Sequence, residues 1–239
     1  MMSFRVYLVE RTFVKKPDTI EADMVVRLMD SVTLSLIRDG KRGGINALNT
    51  LFARYQERVL RIVRLRLNAE LRERLRFQSM DILQDVFLHA FKKLQDFEPA
   101  TEASFLHWLS RIVENVIRDH IDYAGATKRS SLGEPSLDQS IVLSKERVHL
   151  RDVIPDEGTS PSQQVLKRGI KRVVDDLLLK LDESERELII QRKLEGLTFV
   201  EMASEAGKTE DAIRKQFNRS FRKLVALAED KKILMELRA

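Results

Sequence analysis

The sequence contains no cysteine, which removes disulfides, thiolate metal sites and thiol nucleophiles together. Aromatics make up 6% of the 239 residues, with only 9 glycines and 5 prolines, a composition that favours helices over a sheet-rich fold. No apolar run approaches the ~18 residues of a membrane span, and the N-terminus lacks a signal-peptide layout, so the expected location is the cytoplasm. Neither sign of charge dominates: 42 Lys and Arg stand against 37 Asp and Glu, a formal charge of +5. That balance permits a polyanionic partner and equally describes a solvated helical surface. Enzymatic signatures are missing too. There is no P-loop, dinucleotide glycine motif or activated serine, and His89, His107, His120 and His149 show no metal-ligand spacing. The expectation is a non-enzyme with no catalytic residue, metal or cofactor.

What the chain does hold is helical periodicity. Residues 1–29 are the least readable part, where Phe4, Val6 and Leu8 alternate with Arg5 and Tyr7 and hint at a short strand. Apolar residues at Ile20, Met24, Leu28 and Val32 suit a helix that the run from Arg38 to Gly44 should break. A long helix is predicted from Ile45 to about Phe77, with Leu48, Leu51, Phe52, Tyr55, Val59, Ile62 and Val63 inside. Its Arg54, Arg58, Arg61 and Arg64 form a stripe on one face, read by itself as solvated because Glu57, Glu70 and Glu73 partly neutralise it. Two more helices follow between Met80 and Asp122. The first should bury Ile82, Leu83, Val86, Phe87, Ala90, Phe91 and Leu94. Opposite lie Asp81, Gln84 and Asp85 with Leu88 exposed among them, the look of a protein docking spot. The second, capped by Ser104, should bury Phe105, Leu109, Ile112, Val113, Val116 and Ile117. Arg111, Asn115 and Arg118 fall on its other side, where cations beside a bidentate amide suit nucleic acid. Trp108 sits at the border of the two faces and is read as a packing residue.

Glycine, proline and small polar residues punctuate 124–163, which is read as a flexible linker. Beyond it, Asp182 with Glu185 and Thr198 with Glu201 have the spacing of capping boxes, and Thr209 should cap a final long helix. Met202, Ala203, Gly207 and Ile213 stand at helix-turn-helix offsets: a small residue where helices cross, a glycine for the turn, an apolar anchor beyond. With Ile213, Phe217, Leu224 and Ala228 inward, Arg214, Lys215, Asn218, Arg219 and Arg222 are left outward or flanking, able to reach base edges or phosphates. The fold class is all-α: two small helical domains on a flexible linker, the C-terminal one a helix-turn-helix.

The series Asp81-Ile82-Leu83-Gln84-Asp85-Val86-Phe87-Leu88, then Phe105, Trp108-Leu109, Ile112, Asn115 and Asp119, resembles the second conserved region of bacterial sigma factors. The stretch from Leu177 through Glu195-Gly196-Leu197-Thr198 to Leu224 resembles their fourth region. Two regions in this order with no third between them resemble the extracytoplasmic-function group. The resemblance implies region two over 31–123 and region four over 164–239, parted by the linker 124–163; it does not cover residues 1–30, which are left as an N-terminal extension of unknown role. It implies that core RNA polymerase docks on Asp81, Gln84, Asp85 and Leu88. It also implies that Arg111, Asn115, Arg118 and the Asp96–Ser104 loop meet the minus-ten strand, and that Arg214, Lys215, Asn218, Arg219 and Arg222 meet duplex DNA at the minus-thirty-five element. An anti-sigma factor is the further partner it allows. Asp122-Tyr123-Ala124 departs from the family, many members of which carry a basic run there. The rival readings are a stand-alone helix-turn-helix regulator and a helical scaffold that binds no DNA.

Overall fold

The computed structural model describes residues 20–67, 71, 78–98, 101–129 and 161–230. The hinted strand at 4–8, Pro99 and most of the punctuated stretch from 124 to 163 lie outside those residues. Every regular element among the described residues is helical.

Helix α1 (Ile20–Lys41) runs antiparallel against α2 (Ile45–Arg66). The buried Thr33 and Tyr55 hydroxyls hydrogen-bond at 2.8 Å and tie the two together. The helix does not break at Arg38 as the sequence suggests, and the turn comes only at Arg42–Gly44. Gly40 is helical instead, and the reason is packing: a Cβ there would stand 2.5 Å from Leu48 Cδ2. Any side chain at this position would force Leu48 to move from its place between α1 and α2. The predicted inner residues of α2 are buried, except Phe52, which is partly so. Its last helical residue is Arg66, and Leu67 caps it. Residues 72–77 of the predicted extension lie outside the described chain.

Helix α3 (Ser79–Lys93) and α4 (Glu102–Arg129) pack on α2 and on each other, bridged by a short 3-10 turn at Leu94–Asp96. Helix α4 starts one turn earlier than predicted. Thr101 takes the cap: its hydroxyl accepts the Ser104 amide at 3.0 Å, and the Ser104 hydroxyl accepts the Thr101 amide at 3.0 Å. Either hydroxyl can satisfy an orphan amide, so the sequence offered two equivalent caps. All six predicted inner residues of α4 are buried. Trp108 stacks on Phe97, with ring centroids 4.4 Å apart and planes 17° off parallel, so one of its faces is already covered.

In the C-terminal part, α5 (Pro161–Leu178) leads into α6 (Glu183–Ile189), which continues as a π-helical segment, Ile190–Glu195. Gly196 closes that segment at φ +86°, a conformation open to glycine. Then come α7 (Phe199–Ala206) and α8 (Glu210–Asp230). Glu185 accepts the Asp182 amide at 3.3 Å, Glu201 accepts the Thr198 amide at 2.6 Å, and Thr209 accepts the Ala212 amide at 3.3 Å, as their spacing predicted. Each such cap is worth about 1 kcal/mol. A small cluster of Leu197, Met202, Ala203 and Ile213 holds α7 against α8. The larger apolar cluster is continuous across both halves of the chain, from Ile37 and Tyr55 to Ile190 and Leu224.

Candidate functional site

The outward side of α3 carries the first candidate surface. Gln84 and Asp81 are exposed, and the Asp81 carboxylate also accepts the Gln78 amide at 2.9 Å, stabilising the first turn. Asp85 is half-exposed and meets His120 Nε2 of α4 at 2.8 Å, which fixes the two helices at that end. Leu88 is half-buried rather than exposed. The apolar groups that do reach solvent on this helix are Met80, at 40%, and Phe91, at 52%. Phe91 was expected inside. The predicted apolar stripe is wider than α2 and α4 can cover, and Phe91 falls at its edge while Phe87 stacks on Phe52 at 4.9 Å.

On α4, Arg111, Asn115 and Arg118 are all exposed on one side, opposite the buried stripe. Arg111 pairs with Glu114 at 2.7 Å but stays 60% exposed. An exposed pair of this kind is weak and exchanges readily for a phosphate.

Gly207 turns the chain between α7 and α8 at φ +60°, the positive value its position in the motif demanded. Met202, Ala203, Ile213, Phe217, Leu224 and Ala228 are buried, and Arg214, Lys215, Asn218, Arg219 and Arg222 are exposed. Arg214 is paired with Glu210 and also lies over the Phe199 ring, its Cζ 5.3 Å from the centroid. Lys215 meets Asp211 at 2.8 Å. Lys223 bridges Asp182 at 3.1 Å and Glu185 at 2.7 Å at the start of α6, so it braces the unit rather than adding to the outward face.

Sequence reasoning missed a buried charged cluster where the two halves meet. Arg66 at the end of α2 donates to Glu187 of α6 at 2.5 and 3.0 Å and to Glu195 of the π segment at 2.8 Å. It also donates to the Ser110 carbonyl and hydroxyl on α4. Burial alone would lower its pKa, but the Glu187 hydrogen bond and the charges of Glu187, Glu195 and Glu114 more than reverse that and raise it. Glu195, 1% exposed, also accepts from Ser110 and from His107 Nδ1 at 2.8 Å. Burial pushes its pKa up, yet His107, Arg66 and Ser110 outweigh it and hold the carboxyl below its ordinary value. The other ring nitrogen of His107 meets Glu205 of α7 at 2.6 Å. Carboxylates only accept, so two such contacts call for a doubly protonated ring. The Glu195 hydrogen bond accordingly raises the His107 pKa, against the opposing effect of burial.

The arginine stripe on α2 belongs to the same boundary. Arg61 pairs with Asp175 of α5 at 2.7 Å, and Arg58 donates to the Leu194 carbonyl at 3.4 Å. Desolvation raises the Asp175 pKa, with Arg61 pulling against it. Arg58 and Arg61 of the stripe are therefore turned to the C-terminal unit, while Arg64 is exposed. One local signal was available: Arg66 follows Ile62 by four residues, a cation on the apolar stripe of its helix.

Comparison with known proteins places the geometry in context. The family model for sigma-70 region 2 matches residues 51–127, and that for sigma-70 region 4 matches residues 177–225. The ECF RNA polymerase sigma-E factor of Haemophilus influenzae is 26% identical over 180 residues, 75% of this chain and 85% of that protein. The RNA polymerase sigma factor CnrH of Cupriavidus metallidurans is 29% identical over 149 residues, 62% of this chain and 72% of that one. A solved structure of CnrH in complex with the cytosolic domain of CnrY is 21% identical, with a TM-score of 0.48, covering 84% of this chain and 99% of that chain.

Proposed function

Because the chain belongs to the sigma-70 family, in its extracytoplasmic-function type, we propose a division of its surfaces among polymerase, separated strand and duplex. As a sigma factor it directs promoter recognition and transcription initiation, with core RNA polymerase and promoter DNA as partners. In our reading, Asp81, Gln84, Asp85 and Leu88 on α3 dock on core polymerase, with Met80 and Phe91 adding apolar contact at either end of that helix. Arg111, Asn115 and Arg118 on α4 hold the minus-ten strand. Arg214, Lys215, Asn218, Arg219 and Arg222 on α8 enter the major groove at the minus-thirty-five element.

The observation that carries the reading is the pairing of polar outward faces with buried inward faces on α3, α4 and α8. Such helices are rigid mounts for side chains that the core does not need. Guanidinium and amide groups on α8 can form bidentate bonds to guanine and adenine edges, each worth ~1–3 kcal/mol of discrimination. Phosphate contacts give register and affinity, and each makes binding more salt-sensitive. Opening needs no nucleotide hydrolysis, because contacts to the exposed strand offset an unstacking cost of a few kcal/mol. The reading involves no enzymatic step, sets the work in the cytoplasm, and allows an anti-sigma factor as a regulating partner.

The test is reconstituted transcription from chromosomal fragments by core polymerase, with and without the chain, with start sites mapped. Initiation at discrete positions only when the chain is present is the expected result. Tight DNA binding with no gain in specific initiation would favour the stand-alone regulator, and neither activity would favour the scaffold.

A further inference from the structure

The connection between α3 and α4 is fastened from a third helix. At the end of α1 the last carbonyls, from Arg38 to Lys41, have no partner within the helix. The turn into α2 satisfies three of them: the Arg42 amide donates to the Arg38 and Asp39 carbonyls, the Gly43 amide to Gly40, and the Gly44 amide to Asp39. The Lys41 carbonyl instead accepts from Gln95 Nε2 of the 3-10 turn at 3.0 Å. Lys41 Nζ in turn donates to Glu98 at 2.6 Å. Leu94 is buried beside the same turn of α1, where a Cβ at Gly40 would lie 3.6 Å from Leu94 Cδ2. Phe97 is held from α4, stacked on Trp108 and with the Phe105 ring centroid 5.8 Å away. Leu94, Gln95, Phe97 and Glu98 are thus each tied to α1 or α4, and Thr101 and Ser104 fix the other end of the connection by capping α4.

We propose that the last turn of α1 is the mount of the Asp96–Ser104 loop, with Lys41 and Gln95 as positioning residues that hold its shoulder where it meets an unpaired base of the separated strand. The inference rests on the reading of α4 and the loop before it as the strand-binding surface, and it brings in α1, which none of the three surfaces assigned above uses. Placement supports it. Arg111 follows Trp108 by three residues, about 5 Å of helix, so a strand lying on Arg111 and Asn115 passes beside the Phe97 shoulder. Gln95 is exposed and Glu98 is 87% exposed, so the apolar core does not depend on these ties. An exposed ion pair is weak by itself. Its value to binding lies in order: a loop already held in its bound form loses less conformational entropy when a base arrives. A supported loop is also more exacting about which base it accepts, since the contacts behind it fix the geometry in front.

Charge reversal tests the mount. Lys41→Glu and Glu98→Lys each break the ion pair, the two together restore it with its ends exchanged, and Gln95→Leu removes the other tie. Transcription by core polymerase from a promoter library randomised in the downstream element reads the base preference. Each single variant should lower discrimination at one or two positions of that element by about two- to fivefold and leave the upstream element as in the parent. The double reversal should recover most of the loss. Trp108 is the single tryptophan and gives a second readout on the free chain. Its emission should shift to the red in Lys41→Glu and Gln95→Leu, as Phe97 loosens its stack, and return in the double reversal. Unchanged downstream preference or unchanged emission in the single variants overturns the mount. So does equal weakening of both elements, or a double reversal no better than its parts. Failure of the parent chain to initiate strikes the sigma-factor reading instead, and leaves Trp108 emission to decide the mount.

Discussion

Arg66→Met makes the most demanding test of the energetics. The arginine side chain is 9% exposed and bonds Glu187, Glu195 and both oxygens of Ser110. Methionine keeps most of the aliphatic volume, so the change removes charge with little cavity. Glu195 is then left with His107 and Ser110 alone, in a site where burial already disfavours its charged form. Removing one member of a buried ion pair costs about 3–5 kcal/mol. Uptake of a proton by Glu195 limits the loss, so the lower half of that range is expected at neutral pH. For a chain of this size, 3 kcal/mol corresponds to a fall in Tm of about 6–12 °C. Calorimetry at pH 7 measures it, either as a lower single transition or as early separation of two. Adding Glu195→Gln to Arg66→Met removes the orphaned charge and should recover part of the loss. A loss under about 1 kcal/mol for Arg66→Met, or no recovery in the double variant, would mean that the cluster is solvated rather than buried.

Gly40→Ala would normally favour a helix, but here its Cβ meets Leu48 at 2.5 Å, so urea unfolding should show a net loss of about 1–3 kcal/mol. The raised His107 pKa gives the contact between the units a pH dependence. Because the folded-state value is raised, its stabilisation is complete below the ordinary value of about 6.5 and disappears as pH climbs through the raised one. Thermal stability between pH 6 and 9 should therefore fall in the parent and be flatter in His107→Gln. Replacing Asp85 with Lys and Leu88 with Ala together should abolish co-purification with core polymerase while the chain stays folded, its stability lowered by about 1–3 kcal/mol through loss of the His120 contact and of a half-buried side chain. Unchanged association would move the docking surface elsewhere.

Much of this was legible locally. The inner residues of α4 and α8, the capping boxes at Asp182 and Thr198 and the positive φ at Gly207 follow from spacing and side-chain chemistry within a few residues. Misreadings came where a second element decides. Phe91 obeys the helical period of its neighbours yet stays half exposed, and Leu88 gains cover that the period denied it. Gly40 looks like a helix stop but is a contact point for Leu48, eight residues on. Ser104 and Thr101 present the same hydroxyl, and only backbone geometry chooses between them. The charged cluster was least visible, since Arg66 and Glu195 are separated by 129 positions and periodicity carries no long-range pairing. The arginine stripe on α2 was seen, but its partners lie in the other unit.

The division of labour among the surfaces can be tested most directly by sequencing transcripts from a randomised promoter library, initiated by core polymerase with this chain. Two blocks of sequence preference about 25 base pairs apart are expected. Replacing Asn218 and Arg219 with alanine should flatten the upstream block and leave the downstream one intact. A single block, or a variant that weakens both blocks equally, would contradict the assignment of strand and duplex reading to α4 and α8.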